Sequence, residues 1–442
     1  MTKPGSDLRA MALDILMQYE KEGRKLRPLL LSVLEKNRGL ERRDRAFVKT
    51  LTEGTVERLL ALDWVIDQIS NTKTKKMKPV IRMIIRMGAY QLLFMDHVPD
   101  SAAVDEAVKL ARRKHIEGLS GFVNGVLRAV IRYRDGGIKY PNVRTELSCP
   151  AWIAERFERE YGRDKAEAMI RVGAGGRPLY LRVNRLVTGP DSLGTALKKE
   201  GIRPVKTELE YTLKVGGKYV PSESGSFIKG MCSVQDLSSQ LAINELWKQI
   251  RVYINEAEEV DINIIDLCAA PGGKSCALAE LLGDKAGGDG LAYHMKACDI
   301  SEQKLARITE NIKRTGVKNI EVLINDASAF NPAFKEKADI IIADLPCSGL
   351  GVLGRKVDIK YRVKPGDIDA LCNLQRRMLD HAAGYLKKGG ILLFSVCTVT
   401  KEETADQSEY IEGLGLHKVA ERQLLQGVDP CDGFYYSLWI KD

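Results

Sequence analysis

The first third of the chain has apolar residues at helical spacing. Leu8, Met11, Ile15 and Tyr19 follow one another at intervals of three or four residues. The same spacing returns in three later stretches, residues 80–87, 104–111 and 122–130. Residues three and four apart lie on one face of an α-helix, so the pattern predicts amphipathic helices that share an apolar core. We therefore expect residues 1–140 to form an all-helical bundle.

Single residues mark the predicted ends of these helices. Pro79 suits a first helical turn, because the N–H that proline lacks would have no partner there. Ser101 is of a type that caps helix N-termini, so the next helix is expected to begin at this residue. The Asp-Gly-Gly sequence at 135–137 has a permissive backbone and is expected to end the last helix of the bundle.

Residues 141–230 show a mixed pattern. A helix is predicted at 151–161 and a short strand at 179–183, and glycine and proline interrupt the stretch often. We interpret it as a small α+β module that packs on the domain that follows it.

From residue 231 to 442, apolar strands alternate with glycine turns and helical stretches. The strands are predicted at 262–267, 296–300, 320–324, 339–343 and 391–395. Such alternation is typical of a doubly wound, mostly parallel sheet. The aromatic, alternating stretch at 434–440 is expected to add an antiparallel edge strand. The sequence thus predicts three domains, 1–140, 141–230 and 231–442.

Composition narrows the class of protein. Of the 442 residues, 44% are hydrophobic and 29% are charged, as in ordinary soluble globular proteins. No stretch approaches the roughly 20 apolar residues of a membrane helix, and the first seven residues show no secretion signal. Nine cysteines without a CxxC pair fit neither a disulfide framework nor a thiolate zinc site. We expect a cytoplasmic protein that binds no metal and needs no membrane.

Positive charge is concentrated in the predicted bundle. The net charge is +9, and residues 1–140 hold 27 Lys and Arg against 17 Asp and Glu. Basic clusters lie at 42–45, 73–78 and 112–114. Such clusters bind RNA phosphates by releasing counterions, but they also occur on solvated helix faces, and both interpretations stay open for any single cluster. The same choice applies to four basic residues farther along, Arg355, Lys356, Lys360 and Arg362.

Three short motifs each follow an apolar strand. Residues 266–274 form a glycine-rich turn between a predicted strand and a helix, residues 344–349 read Asp-Leu-Pro-Cys-Ser-Gly, and residues 394–398 read Phe-Ser-Val-Cys-Thr. Ligands and reactions in open α/β sheets are found at the carboxyl ends of the strands. Cys347 and Cys397 are therefore candidates for chemistry rather than for packing alone.

Aspartates follow two further strands of the predicted sheet. Asp299 ends one strand and Asp326 comes just after the next. A carboxylate at this edge can accept ribose hydroxyls, while capping of the following helix is the competing role. A glycine-rich insertion at 283–290 accounts for the long spacing between Asp266 and Asp299.

Taken in order, these motifs resemble the RNA cytosine-C5 methyltransferases that use S-adenosylmethionine. The resemblance implies a Rossmann-like α/β catalytic domain with S-adenosylmethionine as its cofactor. The cofactor-binding positions that it implies are Cys268, Ala269, Ala270, Pro271, Gly272, Gly273, Lys274, Asp299, Asp326 and Asp344. The sequence departs from the family at two positions, where Val396 replaces the usual Thr and Lys401 the usual Pro.

The resemblance also implies catalytic roles for Cys397, Cys347 and Asp344. Cytosine C5 is a weak nucleophile toward a sulfonium methyl group, and a thiolate that adds at C6 activates it. Cys397 is the expected nucleophile, Cys347 is expected to assist product release, and Asp344 is expected to hold the N3 edge of the cytosine. The remaining cysteines, apart from Cys268 in the glycine turn, are expected to be small buried hydrophobes.

Outside the catalytic domain, the N-terminal third looks like a helical RNA-binding domain of the NusB type, with residues 121–128 as its most recognisable segment. The combination resembles bacterial enzymes that methylate 16S ribosomal RNA, so free or early-assembly 16S RNA is the expected partner, with no obligate protein partner. Two alternatives remain, an enzyme acting on transfer RNA or 23S ribosomal RNA, and a non-catalytic RNA-binding assembly factor. A monomer is the default oligomeric state.

Overall fold

The computed structural model describes residues 8–172, 178–216, 219–255, 261–283 and 291–442. Contacts between Cα atoms divide the chain into two units, residues 1–174 with 353–362 and residues 175–352 with 363–442. Of the predicted glycine-rich insertion at 283–290, all residues but Gly283 lie outside the described part. Within the described ranges, no helix combines the length and the apolar character that crossing a membrane requires.

The first unit is helical, as predicted. Its helices before residue 175 are α1 (Leu8–Glu22), α2 (Leu26–Lys36), α3 (Arg42–Glu57), α4 (Leu59–Ile69), α5 (Pro79–Phe94), α6 (Asp100–Arg113), α7 (Ser120–Asp135), α8 (Val143–Glu146), α9 (Ala151–Tyr161) and α10 (Arg163–Ile170). The predicted helix at 151–161 is α9. The apolar faces of α1–α7 form one continuous core.

Two of the three predicted helix ends are confirmed. Pro79 is the first residue of α5, and α7 ends at Asp135, before Gly137 with a φ of 82°. The prediction for Ser101 is wrong, because α6 begins at Asp100 and its N-cap lies two residues before Ser101. Pro99 is the N-cap: its backbone is extended, and its carbonyl accepts the first helical hydrogen bond from the Ala103 N–H (3.0 Å).

A segment from far along the chain completes the first unit. Residues 353–362, called the inserted segment below, contain the short helix α16 (Ile359–Arg362). Val357 is buried in the core of the helical unit. Asp358 accepts a hydrogen bond from the Leu26 N–H at the start of α2 (3.1 Å). The inserted segment is therefore a structural part of the helical unit.

Lys360 in the inserted segment is buried, so it does not offer a phosphate contact as one interpretation of the sequence had it. Its ammonium group donates to the carbonyls of Glu57 (2.9 Å) and Leu147 (3.2 Å), at the ends of α3 and α8. The Tyr361 hydroxyl donates to the Ser148 carbonyl (2.9 Å). A cation among backbone carbonyls satisfies helix ends that would otherwise lack donors.

The second unit contains a small and a large sheet. The small sheet has the order β2-β3-β1-β4, with every pair antiparallel. Its strands are β1 (Leu179–Val183), β2 (Val205–Lys206), β3 (Thr212–Val215) and β4 (Cys232–Val234), accompanied by α11 (Pro190–Lys199) and α12 (Gly225–Ile228). The predicted α+β character and the strand at 179–183 are confirmed.

The large sheet has seven strands in the order β10-β11-β9-β8-β5-β6-β7. Its strands are β5 (Asp261–Asp266), β6 (Ala292–Asp299), β7 (Ile320–Ile324), β8 (Ala338–Asp344), β9 (Leu386–Val396), β10 (Leu416–Leu424) and β11 (Phe434–Lys441). The helices are α13 (Leu237–Asn255), α14 (Gly273–Leu282), α15 (Glu302–Thr315), α17 (Pro365–Tyr385) and α18 (Ala405–Glu412). Strands β5 to β9 pair in parallel, as predicted.

The prediction that the C-terminal strand lies at the sheet edge is wrong. Strand β11 pairs antiparallel with β9 on one side and with β10 on the other. It is buried along most of its length, which explains its aromatic sequence. The edge is formed by β10, whose polar side chains carry no strand pattern that could be recognised in the sequence.

Candidate active site

The glycine-rich turn after β5, residues 267–272, leads directly into α14. The Leu267 N–H donates to the carbonyl of Ile342 on β8 (2.9 Å), and the Ala269 N–H donates to the carbonyl of Cys298 on β6 (2.8 Å). Gly272 has a φ of 93°, a left-handed conformation that favours glycine, and it is the N-cap of α14. The turn is therefore held by the strands on both sides, and the first N–H groups of α14 face the carboxyl edge of the sheet.

Asp266 ends β5 at the entrance to this turn and is 1% exposed. Its Oδ2 accepts a hydrogen bond from the Ser275 hydroxyl (2.6 Å), whereas its Oδ1 has no hydrogen-bond partner within the described ranges. Burial raises the pKa of Asp266 to about 7. A buried acceptor without a partner is costly, so this oxygen suits a donor group of a bound ligand.

Asp299 lies at the end of β6, where the sequence places it. Its Oδ2 accepts from the Ala270 N–H (3.1 Å), and its Oδ1 accepts from the Ile300 N–H and the Lys304 ammonium, both at 2.7 Å. A carboxylate has about four acceptor positions, so these three donors leave one for a ligand hydroxyl.

Asp326 follows β7 and has a local role. Its Oδ1 accepts from the backbone N–H (2.9 Å) and the hydroxyl (2.7 Å) of Ser328. These hydrogen bonds lower the pKa of the Asp326 carboxyl group. The geometry is the turn that the competing interpretation predicts for an aspartate after a strand, and it still leaves the other oxygen available.

Lys274 and Asp344 meet at the centre of the sheet edge. The Lys274 ammonium is 2.6 Å from Asp344 Oδ2, and Ser395 at the end of β9 donates its hydroxyl to Asp344 Oδ1 (2.8 Å). Lys274 also lies over the ring of Phe434, 5.1 Å from its centroid. Side chains from α14, β8, β9 and β11 thus converge on one ion pair.

Cys347 and Cys397 are brought together by the pairing of β8 and β9. Asp344 is in register with Ser395, so the residues that follow the two strands lie side by side. The two sulfur atoms are 3.3 Å apart, and both side chains are half-buried. The hydrogen bond with Cys397 and burial raise the pKa of the Cys347 thiol.

Two stretches, residues 346–349 and 397–400, are called the cysteine loops below. Both hydrogen-bond to Glu403, which accepts from the Ser348 N–H and from the Thr400 hydroxyl, each at 2.8 Å. Gly351 connects the second cysteine loop to the segment before β11. Its N–H donates to the backbone carbonyl of Cys397 (3.2 Å), and its own carbonyl accepts from the Gly433 N–H (2.8 Å). A Cβ at Gly351 would lie 2.1 Å from the Gly433 oxygen, so this close approach requires glycine.

Arg182 in β1 contributes to the site, although no motif in the sequence indicated it. It is 8% exposed, and its guanidinium pairs with Glu280 on α14 (2.7 Å) and donates to the Gly273 carbonyl (2.9 Å). It also hydrogen-bonds to Gln235, which follows β4. The small sheet therefore holds the first turn of α14 in place.

The other cysteines behave as expected. Six are buried: Cys149, Cys232, Cys276, Cys298, Cys372 and Cys431. Cys268, Cys347 and Cys397 are the cysteines with partial exposure, and all three follow strands of the large sheet at its carboxyl edge.

The order of the large sheet, with an antiparallel hairpin beyond its parallel strands and a glycine turn after β5, is that of the S-adenosylmethionine-dependent methyltransferases. The features at Asp266, Gly272 and Asp299 fit a cofactor that carries an amino acid group and a ribose. Sequence comparison identifies the family within this class of enzymes. A family model described as 16S rRNA methyltransferase RsmB/F matches residues 252–436, and the chain belongs to this family.

Two further family models match regions that precede residues 252–436. The NusB family matches residues 6–132, and a ferredoxin-like domain of RsmF/B-like methyltransferases matches residues 149–215. The NusB-like bundle and the small α+β domain expected from the sequence are thereby confirmed.

Curated relatives are similar over almost the full chain. The probable ribosomal RNA small subunit methyltransferase B of Bacillus subtilis is 32% identical over 406 residues, which is 90% of this chain and 86% of the relative. The ribosomal RNA small subunit methyltransferase B of Escherichia coli O7:K1 is 30% identical and covers 99% of this chain and 100% of its own.

Solved structures share the fold. The crystal structure of PH0851 aligns over 100% of both chains with a TM-score of 0.78 and 22% identity. NSun6 from Pyrococcus horikoshii aligns over 66% of this chain and 98% of its own, with a TM-score of 0.56 and 20% identity.

Proposed function

We propose that this enzyme methylates C5 of a cytosine in 16S ribosomal RNA through a covalent bond between Cys397 and C6 of the base. The observation that carries the proposal is the pair of sulfur atoms 3.3 Å apart at the carboxyl ends of β8 and β9. The names of the relatives, which align over nearly the whole chain, support small-subunit ribosomal RNA as the substrate. We propose that the enzyme acts in the cytoplasm on 16S RNA that is free or at an early stage of ribosome assembly.

The cofactor is expected to lie along residues 268–274, with its amino acid group near Asp266 and α14 and its ribose at Asp299. Asp326 is expected to lie near the adenine. Bound there, S-adenosylmethionine supplies an electrophilic methyl group. Lys274 and Asp344 form the polar boundary between this region and the two cysteines.

The protein side of the reaction is a cycle of one bond made and broken. The Cys397 thiolate adds to C6, which places electron density on C5. Asp344 hydrogen-bonds the N3 edge of the base and stabilises the charge that develops on the ring. After C5 has gained its methyl group, a water molecule takes the C5 proton, the electrons of the C5–H bond form the C5=C6 double bond, and the C6–S bond breaks to return the Cys397 thiolate. Cys347, in contact with that sulfur, assists this release.

Substitution of Cys347 by Ala tests this scheme. Because release is impaired while addition is not, C347A is expected to accumulate a covalent adduct with a 16S RNA transcript, seen as a shifted band on a denaturing gel. The double variant C347A/C397S is expected to form no adduct. C397S alone is expected to lose methyl transfer while calorimetry shows unchanged affinity for S-adenosylhomocysteine, since the cofactor residues follow other strands.

The buried Cys232, in the small sheet, provides a matched control. C232A is expected to methylate without accumulating an adduct. An adduct that persists in the double variant would exclude Cys397 as the nucleophile. Adduct formation on transfer RNA or 23S RNA instead of 16S RNA would show that the enzyme has a different RNA substrate. Methyl transfer by C397S would contradict the covalent scheme.

A further inference from the structure

Glu403 is fully buried between the cysteine loops. It lies in the short turn before α18 and is 0% exposed. Its Oε2 accepts hydrogen bonds from the hydroxyl groups of Ser348 (2.5 Å), Thr398 (3.2 Å) and Thr400 (2.8 Å). Its Oε1 accepts from the Ser348 N–H (2.8 Å) and the Gln375 amide (3.3 Å). Ser348 follows Cys347 in the chain, and Thr398 follows Cys397.

This arrangement explains why the residue is a carboxylate. Transfer of a carboxylate from water to the protein interior is costly unless several donors replace the water. Five donors converge here, and they come from residues that lie up to 55 positions away from Glu403. A glutamine has only one acceptor oxygen, so its NH₂ group would face hydroxyl groups that need an acceptor. The donors and the carboxylate therefore stabilise one relative position of the two loops.

A second contact fixes the first cysteine loop from outside. The Gln375 amide on α17, which donates to Glu403, also donates to the Pro346 carbonyl (3.0 Å). The residues on both sides of Cys347 are thus tied to one network. Loss of its central acceptor would release Cys347 from its position next to Cys397.

The charge of Glu403 also acts on the chemistry of the pair. The pKa of the Cys347 thiol is raised by its hydrogen bond with Cys397, by burial, and by the charges of Cys397 and Glu403, in that order. A backbone hydrogen bond from Gly349 lowers it. A fixed negative charge disfavours a thiolate at Cys347.

We propose that Glu403 is a positioning residue that joins the two cysteine loops and holds Cys347 next to Cys397. The inference rests on the proposed roles of the two cysteines. Glu403 touches no substrate in this scheme and acts through Ser348, Thr398 and Thr400.

The test is Glu403→Gln, with Glu409→Gln as the matched control on an exposed face of α18. In E403Q, kcat for methyl transfer is expected to fall about 100-fold with little change in KM, because small displacements of reacting groups have effects of this size. Site-resolved alkylation by iodoacetamide, followed by mass spectrometry, is expected to show Cys347 reacting at lower pH than in the wild type. E409Q is expected to match the wild type in both measurements.

The alkylation profile needs neither RNA nor turnover, so it is independent of the proposed reaction. An E403Q enzyme with wild-type kcat and an unchanged Cys347 profile would overturn the inference while leaving the proposed function intact. Retained affinity for S-adenosylhomocysteine shows that the variant is folded. If E403Q does not fold, Thr400→Val, which removes one donor, decides: about a tenfold fall in the rate of adduct formation supports the inference, and an unchanged rate contradicts it.

Discussion

Asp266 illustrates how one buried oxygen connects the stability of this protein with its cofactor. Its Oδ2 is satisfied by Ser275, while Oδ1 has no hydrogen-bond partner among the described residues. Burial without a full set of donors favours the neutral acid and raises the pKa of Asp266 from its ordinary value near 3.8 to about 7. The ligand-free protein is therefore expected to hold a proton there that the unfolded chain does not.

This proton makes the free energy of unfolding depend on pH. Below about pH 4 both states are protonated, but as the pH rises to about 7 the unfolded state loses its proton while the folded state keeps it. Asp266 is therefore expected to lower the free energy of unfolding across this window, by up to about 4 kcal/mol. Urea unfolding of the ligand-free wild type and of D266N at pH 4.5 and 7.5 measures the effect.

In D266N the decrease between the two pH values is expected to be smaller than in the wild type by about 3 kcal/mol, because part of the effect falls below pH 4.5. Saturating S-adenosylhomocysteine is expected to reduce the difference, because a donor at Oδ1 favours the charged carboxylate. Parallel pH dependence of the two proteins would show that Asp266 ionises normally.

At the residue scale, the sequence shows the site residues that stand in motifs and not the ones that support them. The positions of Cys347, Cys397 and Lys274 at the carboxyl edge of the sheet could be predicted, because each follows an apolar strand within a distinctive string; their roles stay a prediction. Arg182 and Glu403 could not be predicted, because the contacts that define their roles reach across the fold: Arg182 pairs with Glu280, 98 positions away, and Glu403 binds Ser348, 55 positions away.

At the scale of elements, the prediction succeeded wherever hydrophobic periodicity was strong. The parallel strands and the bundle helices were found because each has a continuous apolar run or face. Strand β10 was missed because its residues are mostly polar and exposed, and the position of β11 was wrong as a consequence. The inserted segment could not be foreseen, because its basic residues have the composition of an exposed loop.

Lys360 in the inserted segment provides a test of its burial. Burial lowers the pKa of Lys360 to about 8, whereas in the unfolded chain it is near 10.5. Between these values the unfolded state binds a proton that the folded state does not, so the free energy of unfolding is expected to rise with pH. From pH 7.5 to 9.5 the expected contribution is about 2 kcal/mol.

The measurement compares unfolding of the wild type with Lys360→Met at the two pH values. The variant lacks the titrating group but keeps an apolar stem of similar length. Between the two pH values, its free energy of unfolding is therefore expected to rise by about 2 kcal/mol less than that of the wild type. The nearby Lys356→Met is the control, because Lys356 is exposed. Equal slopes in wild type and K360M would show that Lys360 is solvated.

For the whole molecule, the uneven charge is the main signal of an RNA partner. The Lys75, Lys76 and Lys78 side chains, before α5, are exposed in the helical unit. If they contact phosphates, replacing all three by Gln is expected to weaken RNA binding and to reduce the slope of log K against log salt by about 2. Fluorescence anisotropy with a 16S fragment between 50 and 200 mM salt, a range in which such contacts have large effects, measures this.

A triple variant at Lys198, Lys199 and Lys335, exposed lysines of the second unit, is the matched control. It has the same change in net charge, so a general electrostatic effect would appear in both variants. An equal slope in the two variants would mean that the basic cluster before α5 is a solvated helix face. Substitution is preferable to deletion of residues 1–140, because deletion would expose the inserted segment. The domain limits at 140 and 230 stay a prediction.

The inserted segment affects how the protein folds during its synthesis on the ribosome. Helices α1 to α10 leave the ribosome first, yet Val357 and Tyr361, which complete their packing, are translated roughly 190 residues after residue 174. At typical rates of synthesis this delay lasts about 10 to 40 s. During that interval we expect the apolar surface that Val357 covers to be exposed on the nascent bundle, which favours chaperone binding until translation has passed Cys347.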